Sequence, residues 1–139
     1  MPVRSRMALS LVLAIALAGC SGNPFKSLSI LSVSINPTEL PPEGGQVQIV
    51  VDATRGDEAV ARVTRYGDWL FFVSYTVRLA EVTAIDLEKK RWKGTIDFPP
   101  NHTSRDQRYI IVVTVRDDHK QDQRIKEVIV RTREANRSG

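Results

Sequence analysis

The chain carries 139 residues, with 20 basic and 16 acidic side chains, a net charge of +4, one cysteine and two histidines. A single cysteine excludes an intramolecular disulfide, so stability must come from burying a core. Two histidines and one thiol leave few of the groups that enzymes and transition-metal centres recruit.

Met1–Arg6 holds Arg4 and Arg6 and no acid, and Met7–Ala18 is apolar except for Ser10. The small residues Ala18 and Gly19 then precede Cys20. A basic start, an apolar stretch and a small-residue cleavage site make a secretory signal. The apolar stretch, about a dozen residues, is shorter than the roughly 20 that a bilayer-spanning helix needs.

Leu17-Ala18-Gly19-Cys20 resembles the lipobox of bacterial lipoproteins. The resemblance implies that residues 1–19 are a signal peptide, with Leu17, Ala18 and Gly19 as its recognition residues. It implies that Cys20 becomes the new N-terminus and carries diacylglycerol on its thiol, with the amine usually acylated as well. That covalent lipid on Cys20 is the expected non-protein group, and the membrane is the first expected partner. More than one acyl chain gives stable anchoring, because a single chain binds only marginally. Ser21 after the cysteine resembles the class that moves to an outer membrane, facing periplasm or surface. With one membrane, the expected place is the outer face of the plasma membrane. Loss of the signal leaves 18 basic against 16 acidic side chains. The basic balance therefore belongs partly to the signal, and no nucleic-acid partner is expected.

Residues 20–27 read as a lipidated tether, since Gly22, Asn23 and Pro24 discourage regular structure. Seven extended residues reach at most roughly 25 Å, which keeps the following domain near the membrane. Residues 28–133 fit one domain. The polar residues 134–139 read as a disordered tail.

Along residues 28–133 the dominant period is two. Leu31, Val33 and Ile35 alternate with Ser32, Ser34 and Asn36, and Leu28 and Ile30 fall out of phase with them. A β-bulge near Ile30–Leu31 would absorb the slip. Val47, Ile49, Val51 and Ala53 form the next apolar set, after breaks at Asn36-Pro37, Pro41-Pro42 and Gly44-Gly45. Turns follow at Arg55-Gly56-Asp57 and Tyr66-Gly67-Asp68. Leu70–Val73 is a continuous apolar run, consistent with a strand covered on both faces or with a buried helical turn. Tyr75, Val77 and Leu79 alternate like a strand, and Glu81–Lys90 admits a short helix. Trp92, Gly94, Ile96 and Phe98 precede a loop from Phe98 to about Asp106. Tyr109, Ile111, Val113 and Val115 share one face. Asp117–Asp122 is a polar connection to a last strand with Val128 and Val130 inward. Short β-branched strands between such turns predict an all-β sandwich or barrel.

Residues 34–49, from Ser34-Ile35-Asn36-Pro37 through Pro41-Pro42-Glu43-Gly44-Gly45 to Ile49, resemble the opening of bacterial immunoglobulin-like domains. Trp92–Ile96, Pro100-Asn101 and Tyr109–Asp117 are similar to the last half of such domains. The resemblance covers roughly residues 30–131 and implies an immunoglobulin-like Greek-key β-sandwich. It implies a tyrosine corner at Tyr109, with the hydroxyl reaching back to backbone. The chain departs from that pattern in having Ile111 where an inter-sheet cysteine would fall. It also has Asp117-Asp118-His119-Lys120-Gln121-Asp122 in place of an Asp-x-x-Gly-Asn turn.

Catalytic motifs are missing. There is no Gly-x-Ser-x-Gly, no His-Glu-x-x-His and no phosphate-cradling Gly-rich loop. His102 and His119 lie in polar stretches. Asp117, Asp118, His119 and Asp122 could ligate a cation from one turn, but they lack EF-hand spacing and read as a solvated hairpin tip. Lys89, Lys90, Arg91 and Lys93 read as a charged edge or turn with Trp92 packed inside. Tyr66, Trp69, Phe71, Phe72 and Tyr75 concentrate aromatics in one segment. Trp69, beside Gly67-Asp68, is the candidate exposed contact.

The expected function is that of a lipid-anchored cell-envelope protein, not an enzyme, whose domain binds or scaffolds an envelope protein or glycan. The alternative is an accessory subunit of a secretion, adhesion or assembly machine, with an edge strand that pairs with its partner. An uncovered, uncharged edge would favour that alternative. A hydrolase or metal carrier stands third.

Overall fold

The computed structural model describes residues 27–66, 74–82 and 88–133. Leu17, Ala18, Gly19, Cys20 and Trp69 lie outside the described residues, as do residues 134–139 and the run Leu70–Val73. The described chain folds into nine strands and contains no helix. They are β1 (Ile30–Asn36), β2 (Glu39–Leu40), β3 (Gly45–Ala53), β4 (Glu58–Tyr66), β5 (Ser74–Arg78), β6 (Ala80–Val82), β7 (Lys90–Phe98), β8 (Gln107–Arg116) and β9 (Gln121–Val130).

Two sheets form. Sheet A runs β1-β3-β7-β6 and sheet B runs β2-β9-β8-β4-β5. All neighbouring pairs are antiparallel except β2 with β9, which is parallel. One continuous core lies between the sheets, as a β-sandwich requires. Sheet A contributes Val47, Ile49, Val51, Trp92, Ile96 and Phe98, and sheet B contributes Ala61, Val63, Tyr109, Ile111, Val113 and Val128. The period-two residues of β3, β7 and β8 are the buried ones, so half-burial explains the alternation. The chain crosses from sheet B to sheet A at Leu79, whose N–H donates to the Ala59 carbonyl at 2.9 Å.

The expected bulge is present, because the β1–β3 register shifts between Ile30 and Ser32. Its effect differs from the expected phase. Ile30 is buried, Val33 and Ile35 pack against the core, and Leu31 is the extra residue, 56% exposed. Leu31 therefore does not share a face with Val33 and Ile35. The last strand starts earlier than expected. Asp122 is inside β9, and the connection shrinks to a tight turn in which Asp117 N–H donates to the Lys120 carbonyl at 2.9 Å. Where a helix was admissible after Glu81, residues 80–82 are strand and residues 83–87 lie outside the described set.

The Tyr109 side chain is buried, with its ring edge-on to Phe98 at 4.9 Å between centroids. Its hydroxyl donates to Gln107 Oε1 at 3.4 Å rather than to backbone. Burial pushes its pKa up, against the pull of Arg65. At the same end Gly44 has φ of 76°, and a Cβ there would overlap the Phe98 and Pro99 backbone. Only glycine fits that turn.

Candidate interaction surface

The register places side chains on each outer face. On sheet B, Arg78–Val60–Thr114–Gln123 form one row across the strands. Thr76–Arg62–Val112–Ile125 form the next, and Ser74–Thr64–Ile110–Glu127 the one above. Val60, Ile110 and Val112 are half-buried and Ile125 is 68% exposed, so β-branched aliphatics hold the middle of this face. Arg62 and Arg108 are exposed beside them, and Arg116 pairs with Glu58 at 2.5 Å.

Sheet A turns a different surface outward. Ser32, Ser34, Asn36, Gln46, Gln48, Lys93, Thr95 and Asp97 are exposed there, interrupted by the partly buried Val50 and Val82. A shallow depression of about 290 Å³ opens on this face over Gly94, rimmed by Gln48, Lys93 and Thr95. The two faces thus differ within one molecule. One is a solvated polar surface, and the other carries the aliphatic character of an interface centre.

The end of the sandwich nearest Ser27 is knitted by ion pairs. Arg91 forks onto Asp52, Nε to Oδ1 at 2.7 Å and Nη2 to Oδ2 at 2.8 Å, and Lys89 Nζ lies 3.6 Å from the same carboxylate. The Arg91 hydrogen bonds hold Asp52 below the usual carboxylate range despite burial. Lys90 Nζ donates to the Gly56 carbonyl at 2.9 Å and sits 3.6 Å from Glu81. Trp92 is 2% exposed. The basic cluster is therefore a charged strand start with Trp92 inside, as expected from its spacing.

Asp117 Oδ1 accepts from the N–H groups of His119 and Lys120, at 2.9 and 2.8 Å, and these bonds hold its carboxyl low. Arg55 Nη2 lies 2.6 Å from Asp117 Oδ2, so an ion pair serves the oxygen that accepts no hydrogen bond. The acidic stretch thus caps its own hairpin turn. No three His, Cys, Asp or Glu side chains converge among the described residues. His102 and His119 are both exposed. Of the aromatic segment, Tyr75 packs against the core and its hydroxyl donates to the Asp97 carbonyl at 2.8 Å.

A second tie joins the sheets along one side. Ile30 N–H donates to Asp122 Oδ2 at 2.8 Å, and Arg124 Nη2 donates to the Ile30 carbonyl at 3.2 Å. Burial works against the Asp122 carboxylate, yet bonds from Ile30, Gln123 and Arg124 bring its pKa down. Sequence patterning gave no sign of this clamp, because Asp122 and Arg124 sit 92 and 94 residues from Ile30.

No protein-family model matches the chain. No curated protein matches it either.

Proposed function

We propose that this chain is a lipid-anchored envelope protein whose single immunoglobulin-like domain is a binding or scaffolding module. Its strand order, β1-β3-β7-β6 against β2-β9-β8-β4-β5, agrees with an immunoglobulin-like Greek key in which the first strand divides between both sheets. The Leu17–Cys20 motif supports the anchor. The difference between the two outer faces is the observation that carries the binding reading. Val60, Ile110 and Val112 stand half-buried and Ile125 exposed on the outer face of sheet B, whereas sheet A shows that this chain readily makes a polar outer face. An envelope protein or glycan is the partner class, with Trp69 as the further contact expected from sequence.

Capture of partners by the lipidated chain from its own membrane tests this. Ile125→Glu should keep the melting temperature and weaken capture about tenfold or more, the scale of a hot-spot loss. Joint replacement of His102 and His119 by alanine should change neither. Capture lost only with the histidines would favour a metal site or an enzyme. The anchor is read separately: Cys20→Ser should abolish incorporation of labelled palmitate.

A further inference from the structure

We infer that the outer face of sheet B takes a second copy of this chain, with Arg62 of each copy set against Glu127 of the other. This names the occupant of the binding face proposed above and rests on that reading. The aliphatic centre alone does not choose between occupants, but the charges around it do. Arg62 and Glu127 both point outward, because Ala61, Val63 and Val128 beside them are buried, and both are exposed. They lie on opposite sides of β8. Arg62 shares the row of Val112 and Ile125, and Glu127 stands one row further along, opposite Ile110. Other charges of this face are already engaged. Glu58 takes Arg116 and Arg78, and the charge of Arg108 helps to hold Asp106 low. Among the described residues no ion pair engages Arg62 or Glu127. One cation and one anion thus remain, at opposite corners of an apolar centre.

That arrangement is complementary to itself. Strands lie about 4.8 Å apart and residues rise about 3.4 Å, so Arg62 and Glu127 stand about 10 Å apart across the strands and about 7 Å along them. A twofold axis in the plane of the face, above β8 between Val112 and Ile110, exchanges the two positions. Arg62 of each copy then meets Glu127 of the other, and Ile125 of each meets Val112 of the other. Every contact occurs twice, as an isologous interface requires. On those spacings the axis is inclined about 35° to the strands. The length of Arg and Glu side chains tolerates a smaller inclination, toward aligned sheets whose strands lie within about 30° of each other. A foreign partner would need an acid and a base at matching corners of its own apolar patch, whereas a second copy brings them with it. The paired charges set the orientation around the aliphatic centre. Because the axis runs nearer along the strands than across them, both Ser27 ends lie at the same end of the pair. On the lipid-anchored reading, both tethers then reach one membrane.

The test uses two differently tagged full-length chains, lipidated together in their own membrane and extracted in mild detergent. One wild-type copy should carry the other through purification. Arg62→Glu in both copies sets acid against acid, and Glu127→Arg in both sets base against base. Each should cut recovery about tenfold or more, since facing like charges cost several kcal/mol. One copy with Arg62→Glu and the other with Glu127→Arg have opposite charges at both contacts again, and recovery should return. A foreign partner at this face would produce no such rescue. Both side chains are exposed, so the variants should keep their melting temperature. Arg62→Gln and Glu127→Gln, which introduce no repulsion, should lower recovery less and read the same contact if a reversal disturbs the fold. Wild-type copies that do not travel together, reversals without effect, or a mixed pair that stays apart would overturn the proposal. Loss of a foreign protein on Ile125→Glu, while copies of this chain ignore one another, would overturn the second copy and leave sheet B as the binding face. The binding reading itself fails separately, if Ile125→Glu releases nothing.

Discussion

Asn101 is 1% exposed and ties the loop between β7 and β8 to the body of the domain. Its Nδ2 donates to the Arg105 and Val130 carbonyls at 2.8 and 3.0 Å, and its Oδ1 accepts from Thr103 N–H and hydroxyl. Asn101→Ala should destabilise the protein by about 1–3 kcal/mol or more, because several buried groups lose their partner together. Tyr109→Phe should be much milder, under about 1 kcal/mol, since its hydroxyl bond is long. Urea unfolding of both variants checks the order, and a larger loss for Tyr109→Phe would contradict it. Pro100-Asn101 was legible as the start of a loop. The reach of the Asn101 side chain to Val130 was not, because that partner lies 29 residues away.

At the scale of elements, β3, β7 and β8 were legible because each buries one face in strict alternation. β4 escaped pattern reading. Its inward residues include Ala59 and Ala61, which are small and weakly β-forming, so the period is faint. The first half of β9 escaped for the opposite reason. Its inward positions hold Asp122, Arg124 and Lys126, where the sandwich opens at its side. β8 offers a test of face within one strand. Ile111 is fully buried, and Val112 is its outward neighbour. Ile111→Ala should lose about 2–5 kcal/mol, and Val112→Ala less than about 1 kcal/mol. Equal losses by calorimetry would mean that the outward face is packed in the isolated domain too.

For the whole molecule, strand order and the contrast between outer faces were beyond sequence reading, since both depend on which strands become neighbours. The distribution of carboxylates is likewise a property of the folded chain. Arg91 holds Asp52 low, Thr132 N–H and Arg131 hold Asp106 low, and Asp117 and Asp122 are lowered by the bonds described above. A carboxylate with a depressed folded pKa contributes stability above its unfolded value, near 3.9, and loses it as pH falls through the folded value. The melting temperature should therefore drop steeply below about pH 4, with a shallower drop in Asp52→Asn. Tyr75 and Tyr109 are both raised, chiefly by burial, so their contribution is complete below about pH 10 and fades above it. Melting curves across pH read both limbs, and an acid limb unchanged in Asp52→Asn would remove Arg91–Asp52 from the account.

The clamp of Asp122 and Arg124 on Ile30 lies at the end of the sandwich where the chain enters, while β9 delivers Val130 and Thr132 to the other end. A pull applied at Ser27 and resisted at Thr132 therefore runs along the strands. It loads the β1–β3 and β8–β9 ladders in shear, where many bonds must yield together, rather than peeling them one at a time. Asp122 and Arg124 add side-chain anchorage at the first loaded residue. On the lipid-anchored reading proposed above, the domain would serve as a tension-bearing link between its anchor and its partner.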